Sequence, residues 1–200
     1  MSNPIDFYFD FSSPYGYFAA SRIEDIAARH QRSVTWRPIL LGAVFKVTGQ
    51  QPLTTIPLKS DYSRRDLERT ARLFNLPFKI PSRFPISTTA PARAFYYMTN
   101  KDPALAKRLA LAFYVAYFAD DIDISAPEAT IAIAEHAGID KTEIAQALND
   151  KIVKDRLRQE GDAAVSLGVF GSPYIVVDGE PFWGSDRLDH VEKWLETGGW

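Results

Sequence analysis

Ile5-Asp-Phe-Tyr-Phe-Asp-Phe-Ser-Ser-Pro-Tyr-Gly16 decides how this chain is read. Residues 5 to 11 are dense in aromatics that favour a strand, and Ser13 before Pro14 supplies the chemistry of a helix start. A strand therefore feeds a helix, which the three-and-four spacing of Tyr17, Ala20, Ile23, Ile26 and Ala27 carries to about His30. Residues 33 to 41, Ser-Val-Thr-Trp-Arg-Pro-Ile-Leu-Leu, read as a second strand with Pro38 toward its end. A strand-helix-strand unit of this kind implies parallel pairing.

Beyond it the period becomes helical, from about residue 43 to 167, with breaks at Gln50 to Pro57, Pro77 to Pro91, Asp120 to Pro127 and Gly138 to Lys141. Residues 103 to 119 carry only Lys107 and Arg108 as charges, which predicts a central buried helix. After about residue 168 the strand signature returns in Pro173-Tyr-Ile-Val-Val177, with Asp178-Gly179 as a hairpin turn, then Pro181-Phe-Trp183 and a closing helix over about 186 to 197. This order predicts an α/β protein: a sheet domain from residues 1–42 and 168–200, interrupted by an all-helical insertion over 43–167.

Two hundred residues, 46% of them hydrophobic and 13% aromatic, suffice for a sizeable core. A net charge of -2 gives no electrostatic reason to expect nucleic acid. No basic-plus-apolar leader and no run of about 18 apolar residues is present, so the expectation is a soluble cytoplasmic protein without a membrane partner. The chain ends Gly-Gly-Trp200, which suggests no peroxisomal address. Because there is no cysteine, disulfides, thiolate metal sites and cysteine nucleophiles are excluded, and any sulfur chemistry must come from a bound partner.

Three segments could carry chemistry. Ser13-Pro14-Tyr15 sits at a strand-to-helix junction, where free N–H groups favour an anion such as a thiolate, although a lone Ser-Pro is more often a simple cap. Gly171-Ser172-Pro173 opens the third strand, a position that tolerates proline. In Gly184-Ser-Asp-Arg-Leu188, Ser185 or Asp186 could cap the last helix or meet a ligand's ammonium group.

All three occur together and in order. Asp6-Phe-Tyr-Phe-Asp-Phe-Ser-Ser-Pro-Tyr-Gly-Tyr17, Gly168-Val-Phe-Gly-Ser-Pro173 and Phe182-Trp-Gly-Ser-Asp-Arg-Leu188 resemble the signatures of 2-hydroxychromene-2-carboxylate isomerases and kappa-class glutathione transferases. The resemblance covers essentially the whole chain and implies a thioredoxin-like sheet with a helical insertion. It also implies glutathione as cofactor, with Ser13 facing its sulfur as the catalytic residue.

By the same resemblance, Pro173 is cis, the backbone of Ser172 pairs with the cysteinyl unit, and Ser185 with Asp186 holds the γ-glutamyl end. Gln50 and Lys59 fall at family-like spacing for the glycyl end, and Tyr15, Tyr62 and Asp66 for a substrate pocket. Two positions depart from the family: asparagine is common where this chain has Gln50, and an aliphatic residue generally precedes the cis-proline where it has Ser172.

The implied activity is glutathione-dependent isomerisation of 2-hydroxychromene-2-carboxylate or a similar conjugated aromatic-derived acid. A kappa-like transferase or peroxidase acting on small electrophiles is the alternative, and a non-catalytic glutathione-binding module the third. Relatives of this kind are commonly homodimers.

A free thiol of pKa ~8.5 lowered by roughly 2 units needs about 2.7 kcal/mol of thiolate stabilisation. A Ser13 hydroxyl bond to charged sulfur supplies about 1.5 to 3, and a helix N-terminus about 0.3 to 1. An alcohol cannot exchange disulfides, so Ser13 argues against oxidoreductase activity.

Other readings are weaker. His30, His136 and His190 lack metal-ligand spacing, Asp120, Asp121 and Asp123 lack the glycine and glutamate of a calcium loop, and neither Ser13 nor Ser172 sits in a Gly-x-Ser-x-Gly elbow. No metal is expected. Phe95, Tyr96, Tyr97, Phe113 and Tyr117 read as core aromatics.

Overall fold

The computed structural model describes residues 3–200. Its sheet has the order β2-β1-β3-β4. Strand β1 (Ile5–Phe9) pairs in parallel with β2 (Val34–Pro38) and antiparallel with β3 (Tyr174–Val177), which forms a hairpin with β4 (Glu180–Trp183). Because β1 is paired on both edges and covered on both faces, its aromatics need not alternate with polar residues. The hairpin turns at Asp178 and Gly179, both at positive φ (53° and 94°), the conformation a two-residue turn of the favoured hand requires.

The helix expected over residues 14 to 30 is two helices, α1 (Pro14–Ala20) and α2 (Ile23–Arg29). The Ser21 hydroxyl donates to the Phe18 carbonyl at 2.9 Å, and Arg22 leaves helical geometry at φ -125°. A side chain that competes for the backbone in this way ends a helix, whatever the apolar period promises. Strand β2 likewise stops at Pro38 rather than Leu41, because the Leu41 N–H is taken by the Asp10 carboxylate at 2.6 Å and α3 starts there.

Helices α3 (Leu41–Thr48), α4 (Lys59–Leu73), α5 (Thr89–Thr99), α6 (Pro103–Phe118), α7 (Pro127–His136), α8 (Lys141–Ala147) and α9 (Lys151–Ser166) follow before the sheet resumes. Between α8 and α9 lies a break that carries no glycine or proline; it is made by Asp150, whose carboxylate caps α9 at Ile152 N. Pro91 lies inside the first turn of α5, where proline is tolerated. The closing segment begins as a 3-10 turn, Ser185–Arg187, before α10 (Leu188–Thr197).

Helix α6 is central, as its composition predicts, with Phe113, Tyr114 and Phe118 fully buried. One apolar core runs from Phe7 and Phe9 of the sheet to these residues. Phe11 meets Phe113 edge-on at 5.5 Å, and Tyr114 Oη donates to the Asp10 carbonyl at 3.0 Å. These contacts fix the exit of β1 against the helical block. No helix among the described residues is long and apolar enough to cross a membrane.

Candidate functional site

The exit of β1 opens onto a cleft of about 800 Å³ between the sheet end, α3, the start of α4 and residues 84–86. Ser13, Tyr15, Gln50, Lys59 and Ser172 line it, so five positions separated by as many as 159 residues converge on one surface.

Ser13 is the N-cap of α1. Its Oγ accepts from Gly16 N at 3.0 Å and donates to the Ser172 carbonyl at 2.9 Å. The residue is only 5% exposed, so whatever meets its hydroxyl arrives through the cleft. Pro14 has no N–H, and those of Gly16 and Tyr17 are taken by Ser13. The Tyr15 N–H takes no partner among the described residues, and sequence reading did not single it out. At seven residues α1 is short, which holds its dipole to the low end of the usual range.

The Ser172–Pro173 peptide is cis, matching what the sequence resemblance implies. Ser172 Oγ accepts from Asp10 N at 2.9 Å, so this hydroxyl ties the loop to β1. Pro173 is buried behind it, and its carbonyl accepts from Gly184 N at 3.1 Å. That bond sets the Gly184-Ser-Asp motif beside the loop.

Ser185 is buried, whereas Asp186 is exposed and paired with Arg187 at 3.3 Å. Neither lines the cleft itself; their 3-10 turn packs beside α1, where the Asp186 charge helps to raise the Tyr15 pKa. Gly184 has φ 113°, and a Cβ there would stand 2.4 Å from Asp186 Oδ1. Only glycine lets that carboxylate fold back.

Lys59 is the first residue of α4, and Leu58 before it gives no side-chain cap and has φ 67°. A cation at an uncapped helix N-terminus opposes the dipole and costs stability unless an anion joins it. Gln50 follows Gly49, which ends α3 at φ 70°, and is an exposed residue of the cleft lining. Tyr62 and Asp66 lie one and two turns further along α4 and do not line the cleft. Asp66 Oδ2 accepts from Tyr15 Oη at 2.8 Å and Oδ1 pairs with Arg69 at 2.5 Å, while Tyr62 is 65% exposed. Burial, then Asp66, pushes the Tyr15 phenol far above its ordinary value, so its proton stays with it.

Sequence reading missed Asp10, which forms the floor of the cleft. Its Oδ1 accepts from Ser12 N at 2.7 Å and Thr88 Oγ1 at 2.9 Å, and its Oδ2 from Leu41 N. Burial pushes its pKa up and these three donors hold it back. The available signal was an acidic residue inside an aromatic strand run, where aspartate is disfavoured. Trp183, half-exposed at the mouth and packed on Phe170 at 4.9 Å, was also overlooked.

Comparison with known proteins agrees with this fold. The chain is 30% identical over 197 residues to a 2-hydroxychromene-2-carboxylate isomerase of Sphingobium xenophagum, spanning 98% of this chain and 99% of the isomerase. It is 26% identical to glutathione S-transferase kappa 1 of Rattus norvegicus, over 96% of this chain and 92% of the transferase. A solved 2-hydroxychromene-2-carboxylate isomerase superposes with a TM-score of 0.86 at 27% identity, covering 97% of this chain and 95% of that one. A DsbA-type protein of Streptomyces coelicolor superposes at 0.77 with 21% identity, over 96% and 88% respectively. Residues 4–196 match the DSBA-like thioredoxin domain, and the chain belongs to that family.

Proposed function

We propose that this protein is a glutathione-dependent enzyme, an isomerase of conjugated aromatic-derived compounds, in which the Ser13 hydroxyl stabilises the tripeptide's thiolate. The observation that carries this is the convergence of Ser13, Ser172 and Lys59 on one cleft, with Asp186 beside it. That donor set fits glutathione: a hydroxyl for sulfur, an edge of backbone at Ser172, a cation at a helix N-terminus for the glycyl carboxylate, and a carboxylate for the ammonium. Bound there, glutathione supplies a nucleophilic thiol to an electrophilic carbon.

Ser13 holds the negative sulfur by turning its hydroxyl proton away from the Ser172 carbonyl. The new charge-assisted bond is worth about 1.5 to 3 kcal/mol, from which about 1 is lost with the old bond. A short α1 adds about 0.3. The net of about 1 to 2 kcal/mol lowers the thiol pKa by roughly one unit, half of what the sequence argument asked. The Tyr15 N–H offers a second donor at the same helix end. Tyr15 Oη, committed to Asp66, instead ties α1 to the helix that carries Lys59.

A kappa-like transferase acting on small electrophiles is the second reading, favoured by the apolar wall of the cleft around Phe45, Leu53 and Phe84. Either activity belongs in the cytoplasm, where glutathione is kept reduced, and a homodimer is part of the same proposal. The test is Ser13→Ala. The variant is expected to bind glutathione but lose most of its thiolate absorbance at neutral pH, and turnover should fall about five- to tenfold. Full turnover in that variant refutes the assignment.

A further inference from the structure

We infer that the helical block carries a second binding site, built on Arg93, for a small organic monocarboxylate. It shares no lining residue with the cleft and stands apart from the glutathione reading. The site is a cavity of about 350 Å³ between the first turns of α5 and α7 and the end of α8. Arg93 is the cation of its lining and Glu128 the acid.

Arg93 stands there without a counterion. It forms no ion pair among the described residues, and burial pushes its pKa down with no neighbouring charge to raise it. Its Nη1 donates to the Leu148 carbonyl at 3.1 Å, whereas Nε is sealed from solvent without a partner and Nη2 makes no bond among the described residues. A neutral donor would satisfy that carbonyl equally well. The bond therefore does not account for a guanidinium taken partly out of water, which is costly unless an anion joins it. A planar fork with an open edge suits a carboxylate.

The backbone of α5 adds to this. Thr88 holds the N-cap position, but its hydroxyl is turned to Asp10 Oδ1 at 2.9 Å and gives the helix no side-chain cap. The N–H groups of Thr89 and Ala90, two residues of the cavity lining, are left without a partner among the described residues. At 11 residues α5 is long enough for its N-terminus to favour a negative group beside Arg93.

The rest of the lining sets the shape and charge of the ligand. Ala90, Ile131, Ala145 and Leu148 offer apolar surface that a carbon skeleton covers and an inorganic anion leaves unused. Glu128, exposed in the first turn of α7 and in no ion pair among the described residues, disfavours a second negative charge on the ligand. The Ser125 hydroxyl donates to Asp123 Oδ1 at 2.5 Å and so has no proton to give the ligand. These features together select one carboxylate on a small apolar body.

The test titrates the full-length protein calorimetrically with sodium benzoate and with inorganic phosphate. Benzoate is expected to fill one saturable site and to bind about tenfold or more tightly than phosphate. Phosphate bound as tightly as benzoate overturns the inference. Saturating S-methylglutathione should leave benzoate in place, and displacement would put benzoate in the cleft and overturn it too.

Two variants locate the site. Arg93→Met keeps the length and apolar stem of the side chain and is expected to weaken benzoate about tenfold or more. Ala145→Leu keeps the arginine and fills the cavity, so it should weaken benzoate to a similar extent, and it decides the matter if Arg93→Met does not fold. Benzoate bound by either folded variant as tightly as by the native protein overturns the inference.

Discussion

The Ser13 hydroxyl donates to the Ser172 carbonyl across 2.9 Å, so the hydroxyl assigned to sulfur is already in use before a ligand arrives. Holding a thiolate is therefore an exchange of partners, and the net effect is smaller than that of a free hydroxyl. We expect the thiol of bound glutathione to titrate near pKa ~7.5 in the native protein and near ~8.5 in Ser13→Ala. Thiolate absorbance followed against pH checks both values, and turnover should rise with pH through the lower one. The same variant loses the cap on Gly16 N and about 1 kcal/mol of stability.

Lys59 and Ser13 act on different ends of the ligand, so their losses should separate kinetically. Replacing Lys59 with methionine removes a contact made equally in the ground and transition states. The KM for glutathione is expected to rise about tenfold or more while kcat changes little. Because a cation at an uncapped N-terminus opposes the dipole, Lys59→Met should also raise the melting temperature of the ligand-free protein slightly. A drop in kcat with an unchanged KM contradicts the assignment of Lys59 to binding.

The Tyr15–Asp66 bond joins the helix that carries Ser13's motif to the helix that carries Lys59. Tyr15→Phe keeps the ring in the cleft wall and removes only this tie. Asp66→Asn weakens it and releases Arg69. Both should raise the glutathione KM several-fold and leave the titration of the bound thiol where it was. A shift in that titration would show that the Tyr15 proton reaches the sulfur.

The frame of the molecule was readable because its signals are local and redundant. Residues 5 to 11, the Asp178-Gly179 turn and the apolar run of α6 each meet a physical requirement by themselves. What stayed hidden depends on contacts across the chain. The break at Ser21 and Arg22 rests on one hydroxyl choosing a carbonyl, and the end of β2 on a carboxylate 31 residues away taking the Leu41 N–H. At the site, Ser13 was legible as a cap with spare chemistry, whereas its bond to Ser172 spans 159 positions and leaves no local trace. Asp10 was hidden for the opposite reason: it lies inside the most legible segment, where the surrounding aromatics claimed the reading.

Two glycines test how tightly the site is packed. A Cβ at Gly16 would lie 2.7 Å from Tyr114 Oη, 3.0 Å from Ser172 Oγ and 3.2 Å from Ser13 Cβ, all of them buried. Gly16→Ala should cost about 1 to 3 kcal/mol and displace the Ser13–Ser172 pair, lowering activity with it. At Gly171 the clash is with Trp183 Nε1 at 2.3 Å, but that indole is half-exposed and can swing outward. Gly171→Ala should therefore cost less stability and act on acceptor binding instead. Thermal melts and acceptor titrations of the two variants distinguish these outcomes.

Asp10 makes the pH dependence of stability a readout of the cleft floor. Burial raises its folded-state pKa above the ordinary 3.8, so over the range between the two values the folded protein holds a proton that the unfolded chain has released. Stability from this group is then present at low pH and lost as pH rises through the folded value. Asp10→Asn removes the titration but places an NH2 against one of the donors Ser12 N, Leu41 N or Thr88 Oγ1, a loss of about 1 to 3 kcal/mol. The margin by which the native protein exceeds the variant in stability should narrow as pH climbs above about 4. Denaturant unfolding of both proteins across that range measures the margin, and one that widens with pH would mean that the three donors outweigh burial and hold Asp10 below its ordinary value.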